Sequence, residues 1–150
     1  MIRMAFQSDL AAPPAAVWQS VSRMSGVNRE LGPILRMTKP GGDDSIVDAP
    51  DGQARFSSWV LLFGVLPIDR HFLSASLADP EIGFDENSSS WTERVWRHRR
   101  RLTAVPGGTR VSDQIEFEPR LRILAPVIAR FVRGVFRHRH QRLRRQFDEA

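Results

Sequence analysis

The sequence has no cysteine, no tyrosine and a single lysine, Lys39. Without cysteine there are no disulfides, thiolate metal sites, iron–sulfur ligands or cysteine nucleophiles. Such a chain suits a reducing compartment, and a cytoplasmic location is expected. Long hydrophobic runs are missing too. The longest apolar stretch, Trp59 to Leu66, is eight residues with Gly64 inside it, whereas a membrane-spanning helix needs about 20. Charge at Arg3 and Asp9 comes too early for the apolar core of a signal peptide. There is no internal repeat. The biased stretches Pro40–Asp44 and Ser88–Ser90 are only loop-sized.

What remains is an ordinary globular composition carrying an uneven charge. A length of 150 residues, with 41% hydrophobic and 26% charged residues, predicts one domain, 1–150, with its own core. Of the 22 basic residues, 21 are arginine. Residues 1–93 have a net charge of −5 and residues 94–150 a net charge of +10. That asymmetry raises nucleic acid, anionic lipid or an acidic partner as candidates.

Along the chain, Arg3–Ser8 reads as a strand. Pro13-Pro14 then starts a short amphipathic helix, because proline is tolerated where a helix has no N–H partner to lose. Gly26 is expected to break it, with a second short turn over Val27–Leu31. Short strands follow at Leu35–Thr38, Arg55–Phe63, Ile68–Leu77, Ile82–Ser88, Thr92–Val105 and Thr109–Phe117, separated by Gly- and Pro-containing turns. The polar segment Gly41–Gly52 is a candidate lid. Leu121–Phe147 has apolar residues at three- and four-residue steps (Leu124, Ile128, Phe131, Val135, Phe136, then Leu143 and Phe147), which predicts one long helix. Gly134 is expected to let that helix approach the sheet. The fold class is α+β: a curved antiparallel sheet of about six or seven strands wrapped around a long C-terminal helix, with two short helices after strand 1.

The turn Pro106-Gly107-Gly108 fixes a register. If Ala104 opposes Thr109, then Leu102 faces Val111, Arg100 faces Asp113, His98 faces Ile115 and Trp96 faces Phe117. This places Arg100, Asp113 and His98 on the face that looks toward the helix. Arg97, Arg99 and Arg101 point outward.

Several segments resemble the START-like (SRPBCC) superfamily. They are "APPAAVW" at Ala12–Trp18, "LLFGVLPIDRH" at Leu61–His71, "WRHRRRL" at Trp96–Leu102 with "PGGTRVSDQIEFEP" at Pro106–Pro119, and "FRHRHQRLRRQF" at Phe136–Phe147. The resemblance spans nearly the whole chain. It implies a helix-grip fold with an internal hydrophobic cavity. It does not imply one reaction, since members bind lipids, sterols, polyketides or hormones and some are cyclases or hydrolases.

The expected function is binding of a small hydrophobic ligand between the sheet and the C-terminal helix. Trp59, Trp96, Phe131 and Val135 are candidate apolar walls. Arg100, Asp113, His98 and His71 are candidate polar contacts. The simpler reading of Arg100 and Asp113 is a structural ion pair with a satisfied histidine, because a buried arginine without a carboxylate is costly. Asp69 with His71, and Glu86, are minor acid–base candidates, because histidine titrates near neutrality. No residue is assigned a catalytic role.

No cofactor is called for, and no metal: His138 and His140 are two apart on a helix and cannot share one ion. With Arg137 and Arg139 they read as a solvated basic face. Two rival readings stand. One is a polyketide cyclase/dehydrase-type enzyme using a histidine or carboxylate in the cavity. The other is a surface module whose arginine-rich helix contacts polyanions or, transiently, an anionic membrane. Nucleic acid is disfavoured, since no nucleic-acid-binding motif is present and no aromatics are interleaved on the polar helix face.

Overall fold

The computed structural model describes residues 1–41, 44–46 and 54–148. Most of the candidate lid at 41–52 lies outside the described residues. The elements run β1 (Ile2–Leu10), α1 (Pro14–Val21), α2 (Met24–Leu31), β2 (Leu35–Met37), β3 (Ala54–Leu62), β4 (Leu66–Asp79), β5 (Gly83–Ser90), β6 (Glu93–Val105), β7 (Gly108–Pro119), a 3-10 turn (Arg122–Leu124) and α3 (Ala125–Phe147). The seven strands form one antiparallel sheet in the order β1-β7-β6-β5-β4-β3-β2. The sheet curls around α3, with α1 and α2 inserted after the first strand.

The hairpin β6–β7 adopts the register that its turn predicts. Ala104 pairs with Thr109, Leu102 with Val111, Arg100 with Asp113, His98 with Ile115 and Trp96 with Phe117. Gly107 occupies the turn at φ 82°, a left-handed conformation costly for residues with a Cβ. Three apolar clusters fill the space under the sheet. One joins α2 to β4 and β5 through Met24, Val27, Leu31, Leu73 and Phe84. A second packs α1 and the end of α3 on β1, β6 and β7 through Leu10, Val17, Val21, Leu102, Val111 and Leu143. The third sets Val132 and Phe136 of α3 against Met4, Ile115 and Phe117.

Three details of the helices differ from the sequence-based expectation. Gly26 does not break a helix; it lies inside α2. A Cβ there would stand 1.7 Å from the Ser20 carbonyl oxygen, so the glycine lets α2 pack directly on the end of α1. Gly134 is exposed on α3 with open space around it, so it is not the point of helix–sheet approach. The solvated basic face of α3 also needs correcting. Arg139 and His140 are buried, because Val132, Val135, Phe136, Arg139, His140 and Leu143 continue one stripe at three- and four-residue steps. His138 is half-buried and bonds the Gly32 carbonyl at 2.7 Å.

Candidate functional site

Between α3, α2 and the concave sheet lies a cavity of about 270 Å³. Its walls are mainly apolar, with Leu31, Leu35, Ile46, Leu73, Phe84, Ile128, Val132 and Phe136 among them. Of the candidate ligand residues, His71, Trp96, His98, Phe131 and Val135 lie on this wall. Phe131 is the most open of them, at 41% exposure, and marks the mouth.

Trp59, Arg100 and Asp113 do not line the cavity. For Trp59 the reason is strand alternation: Val60 faces inward, so Trp59 faces outward. There it stacks edge-on against Trp91 with ring centroids 5.2 Å apart, and the Arg70 guanidinium lies 4.4 Å from a Trp59 ring. Arg100 and Asp113 do point to the concave side, as the register requires, but side chains close over them and both are completely buried.

Arg100 holds Asp113 through two bonds of 2.7 Å each, Nε to Oδ1 and Nη2 to Oδ2. Its Nη1 reaches Glu30 of α2 at 2.9–3.0 Å, and Glu30 also accepts from Arg139 Nε at 3.2 Å. His98 Nε2 and His140 Nε2 each lie 2.7 Å from an Asp113 oxygen. An ionised carboxylate only accepts, so both imidazoles donate from Nε2. His140 Nδ1 meets Ser8 Oγ at 2.7 Å, and Ser8 accepts from Arg144 at 2.8 Å. Burial alone would raise the Asp113 pKa. The charges of Arg100 and His98 and the bonds from Arg100 and His140 outweigh that and hold it well below the usual range. Burial opposes the charge on Arg100 too, but Asp113 and Glu30 over-compensate and raise its pKa. Two arginines face two carboxylates, and Asp113 accepts four bonds. The cluster is complete in itself: Arg100 and Asp113 offer a ligand nothing directly, and only its outer members His98 and Arg139 border the cavity.

A second polar group sits at one end of the cavity. Its members Asp69, His71, Glu86, Ser90, Thr92 and Glu93 all line the wall. His71 Nε2 lies 2.5 Å from Glu86 Oε2, which also accepts from Ser88 Oγ at 2.7 Å. Burial disfavours the charged imidazole, but the charge and hydrogen bond of Glu86, with Asp69 and Glu93 behind them, outweigh it and raise the His71 pKa. Burial likewise opposes ionisation of Glu86, and the His71 charge and hydrogen bond overcome it and lower the Glu86 pKa. His71 and Glu86 therefore form an ion pair. Asp69 is engaged by Thr92, from Oγ1 at 2.6 Å and from N at 3.2 Å.

Glu93 differs from these neighbours. It is 5% exposed, yet its Oε2 has no hydrogen-bond partner among the described residues. Burial, then repulsion from Asp69, push its pKa up to about 7 against the pull of His71. Sequence reasoning missed this residue for a clear reason. Simple alternation from Trp96 sends Glu93 outward with Arg97 and Arg99. A β-bulge between Glu93 and Val95 shifts the register by one and turns Glu93 inward.

The wall thus offers an ion pair, a carboxyl group that titrates near neutrality and two hydroxyls at one end of an apolar chamber. Among the described residues no three His, Cys, Asp or Glu side chains are arranged to hold a metal ion. Nor is any helix among them long and apolar enough to cross a membrane.

A curled antiparallel sheet gripping one long C-terminal helix, with two short helices after the first strand, is the helix-grip fold of START-like proteins. Solved structures bear this out. A protein from Chromobacterium violaceum superposes with a TM-score of 0.74 at 12% identity, covering 99% of this chain and 98% of that one. A START superfamily protein from Mycobacterium smegmatis gives 0.70 at 10% identity, with 97% of each chain covered. The ZhuI aromatase/cyclase from a Streptomyces species gives 0.64 at 14% identity, covering 96% of this chain and 94% of that one. At these identities the likeness is one of fold. Within it, residues 8–147 match the family described as "Domain of unknown function (DUF8410)", and the chain belongs to that family. No curated protein matches the sequence.

Proposed function

We propose that this protein binds a small, mainly hydrophobic molecule in the chamber between the sheet and α3. The observation that carries the reading is the chamber itself: about 270 Å³ with largely apolar walls and a few polar groups collected at one end. A packed core of this size would leave no such space, since interiors are filled nearly as densely as organic crystals. Sites for apolar ligands combine apolar walls with a few placed polar groups. Val135, Phe136, Trp96 and Phe131 supply walls; His71 and His98 supply polar contacts at the surface of the chamber. Arg100 and Asp113 act one layer behind, orienting His98. The test is titration with the neutral dye N-phenyl-1-naphthylamine, whose emission rises in apolar surroundings. Saturable binding that is lost in Val135→Trp, a variant that fills the chamber, supports the reading. Absence of saturable binding to the native protein overturns it.

A second reading is acid–base chemistry of the cyclase/dehydrase type. The observation in its favour is that His71 and His98 both face the chamber rather than being sealed from it. Turnover of a β-hydroxy ketone to its enone, lost in His71→Gln, would establish it; an unchanged β-hydroxy ketone would remove it.

A companion proposal concerns where a ligand is exchanged. Leu121, Ile123, Leu124 and Val127 are exposed at the start of α3, and Ile123 is 85% exposed. Arg122, Arg130 and Arg133 are exposed beside them. Apolar residues flanked by arginine suit transient contact with an anionic membrane surface.

A further inference from the structure

We infer that the chamber is built for an amphipathic amine, a molecule with an apolar body and a cationic nitrogen that docks on the Glu93 carboxyl group. This rests on the ligand-binding reading and deepens it.

Three observations converge. The first is the orphan oxygen. Glu93 is 5% exposed and lines the chamber, and its buried Oε2 has no partner among the described residues. Buried polar atoms in folded proteins nearly always have one, because an unmade bond costs the full desolvation of the group. A turn of the carboxyl group about its last bond would present that oxygen to an incoming N–H donor, which would supply the missing bond.

The second is the sign of the charge at this end. Facing Glu93 are Asp69 and His71 on β4, and Glu86 beyond them on β5. Three carboxyl groups thus meet the His71 imidazole and, 3.9 Å from Glu86, that of His98, which is already bonded to Asp113. The hydroxyls of Ser90 and Thr92 complete the corner. From α3 come the apolar side chains Ile128, Phe131 and Val132. Arg120 is nearby but donates to the Ser90 carbonyl at 2.9 Å, and Arg70 lies against Trp59 on the outer face. Arg100 is sealed behind the wall, and Arg139, which does line the chamber, is engaged by Glu30 at 3.2 Å. A carboxylate or phosphate head would meet repulsion in this corner, whereas an ammonium would meet a counter-charge and aromatic rings.

The third is chemistry. With a pKa near 7, Glu93 is poised to lose its proton as a cation arrives. Binding of an amine above neutrality would therefore find a carboxylate, and binding near pH 7 would release a proton. A metal ion is not the fit, since no ligand set for one is present among the described residues. At about 270 Å³ the chamber accommodates about nine water-sized groups, the size of an eight-carbon amine.

The experiment is isothermal titration calorimetry of the full chain with octylamine, 1-octanol and octanoate at pH 8 and pH 5.5. At pH 8 octylamine should bind at least about tenfold more tightly than octanoate, the range expected for a charge-assisted bond. That preference should shrink at pH 5.5, where Glu93 is neutral. Near pH 7 the heat of octylamine binding should vary with the ionisation heat of the buffer, reporting proton release. Glu93→Gln should remove the proton release and most of the amine preference while 1-octanol still binds. If octanoate equals or exceeds octylamine at pH 8, the inference is overturned and ligand binding stands. If Glu93→Gln keeps the full preference, Glu93 is not the anchor and the inference is overturned. If none of the three probes binds and the neutral dye does not bind either, the ligand-binding reading falls with it. The comparison of native affinities needs no variant, so a poorly folding Glu93→Gln would not shield the inference.

Discussion

Two buried polar groups lie under the same sheet and differ in completeness. The cluster of Arg100, Asp113, Glu30, Arg139, His98 and His140 ties α2, α3, β6 and β7 together, and its carboxylates are matched by cations and hydrogen bonds. The corner of Asp69, His71, Glu86 and Glu93 has one carboxyl group more than it can satisfy. A complete buried network fixes a fold; an incomplete one at a cavity wall awaits a partner. The two also respond to pH with opposite sign. Asp113 has a depressed pKa, so its contribution is present above the ordinary carboxyl value and is lost as pH falls below it. Glu93 and His71 have raised values. Their contributions are full below their unfolded values and fade as pH rises through the folded ones.

The largest effect should come from breaking the complete cluster. Arg100→Met leaves Asp113 and Glu30 buried without their shared cation, and should cost about 3–5 kcal/mol in urea denaturation at pH 7. A loss below about 1 kcal/mol would mean that water reaches the cluster. Next comes the corner. Glu93→Gln removes a carboxyl group that is hard to ionise, so it should raise stability at pH 8 by roughly 2–3 kcal/mol and leave stability at pH 5 nearly unchanged. Thermal unfolding at the two pH values checks this. A variant destabilised at both would place Glu93 among the structural groups and erase the contrast.

Val135→Trp should abolish dye binding and cost about 1–3 kcal/mol through overpacking. Retained dye binding would move the ligand site elsewhere. The smallest effect concerns the surface. Ile123→Asp should weaken co-sedimentation with phosphatidylserine vesicles severalfold while dye binding stays intact; equal sedimentation would remove the start of α3 as a membrane contact.

The contrast also separates what a sequence shows from what it hides. The β6–β7 hairpin was readable because one Pro-Gly-Gly turn sets every pairing, and Arg100 opposite Asp113 followed by counting. The rest of their cluster comes from distant segments. Glu30 is 70 residues from Arg100 along the chain, and no local pattern links them. Arg139 and His140 were within reach, since they continue the helical stripe of Val132, Val135 and Phe136; their polarity hid them. Trp59 was assigned by type, but alternation decides its face. Glu93 depends on a bulge, and a bulge moves a residue to the opposite face without a mark in local composition.

The most direct test is to follow the Glu93 carboxyl carbon by NMR in a pH titration, with and without octylamine. The account predicts titration near pH 7 in the free protein and a midpoint below about 6 when the amine saturates the chamber. A midpoint near 4.5, the ordinary value, that octylamine does not move would contradict it.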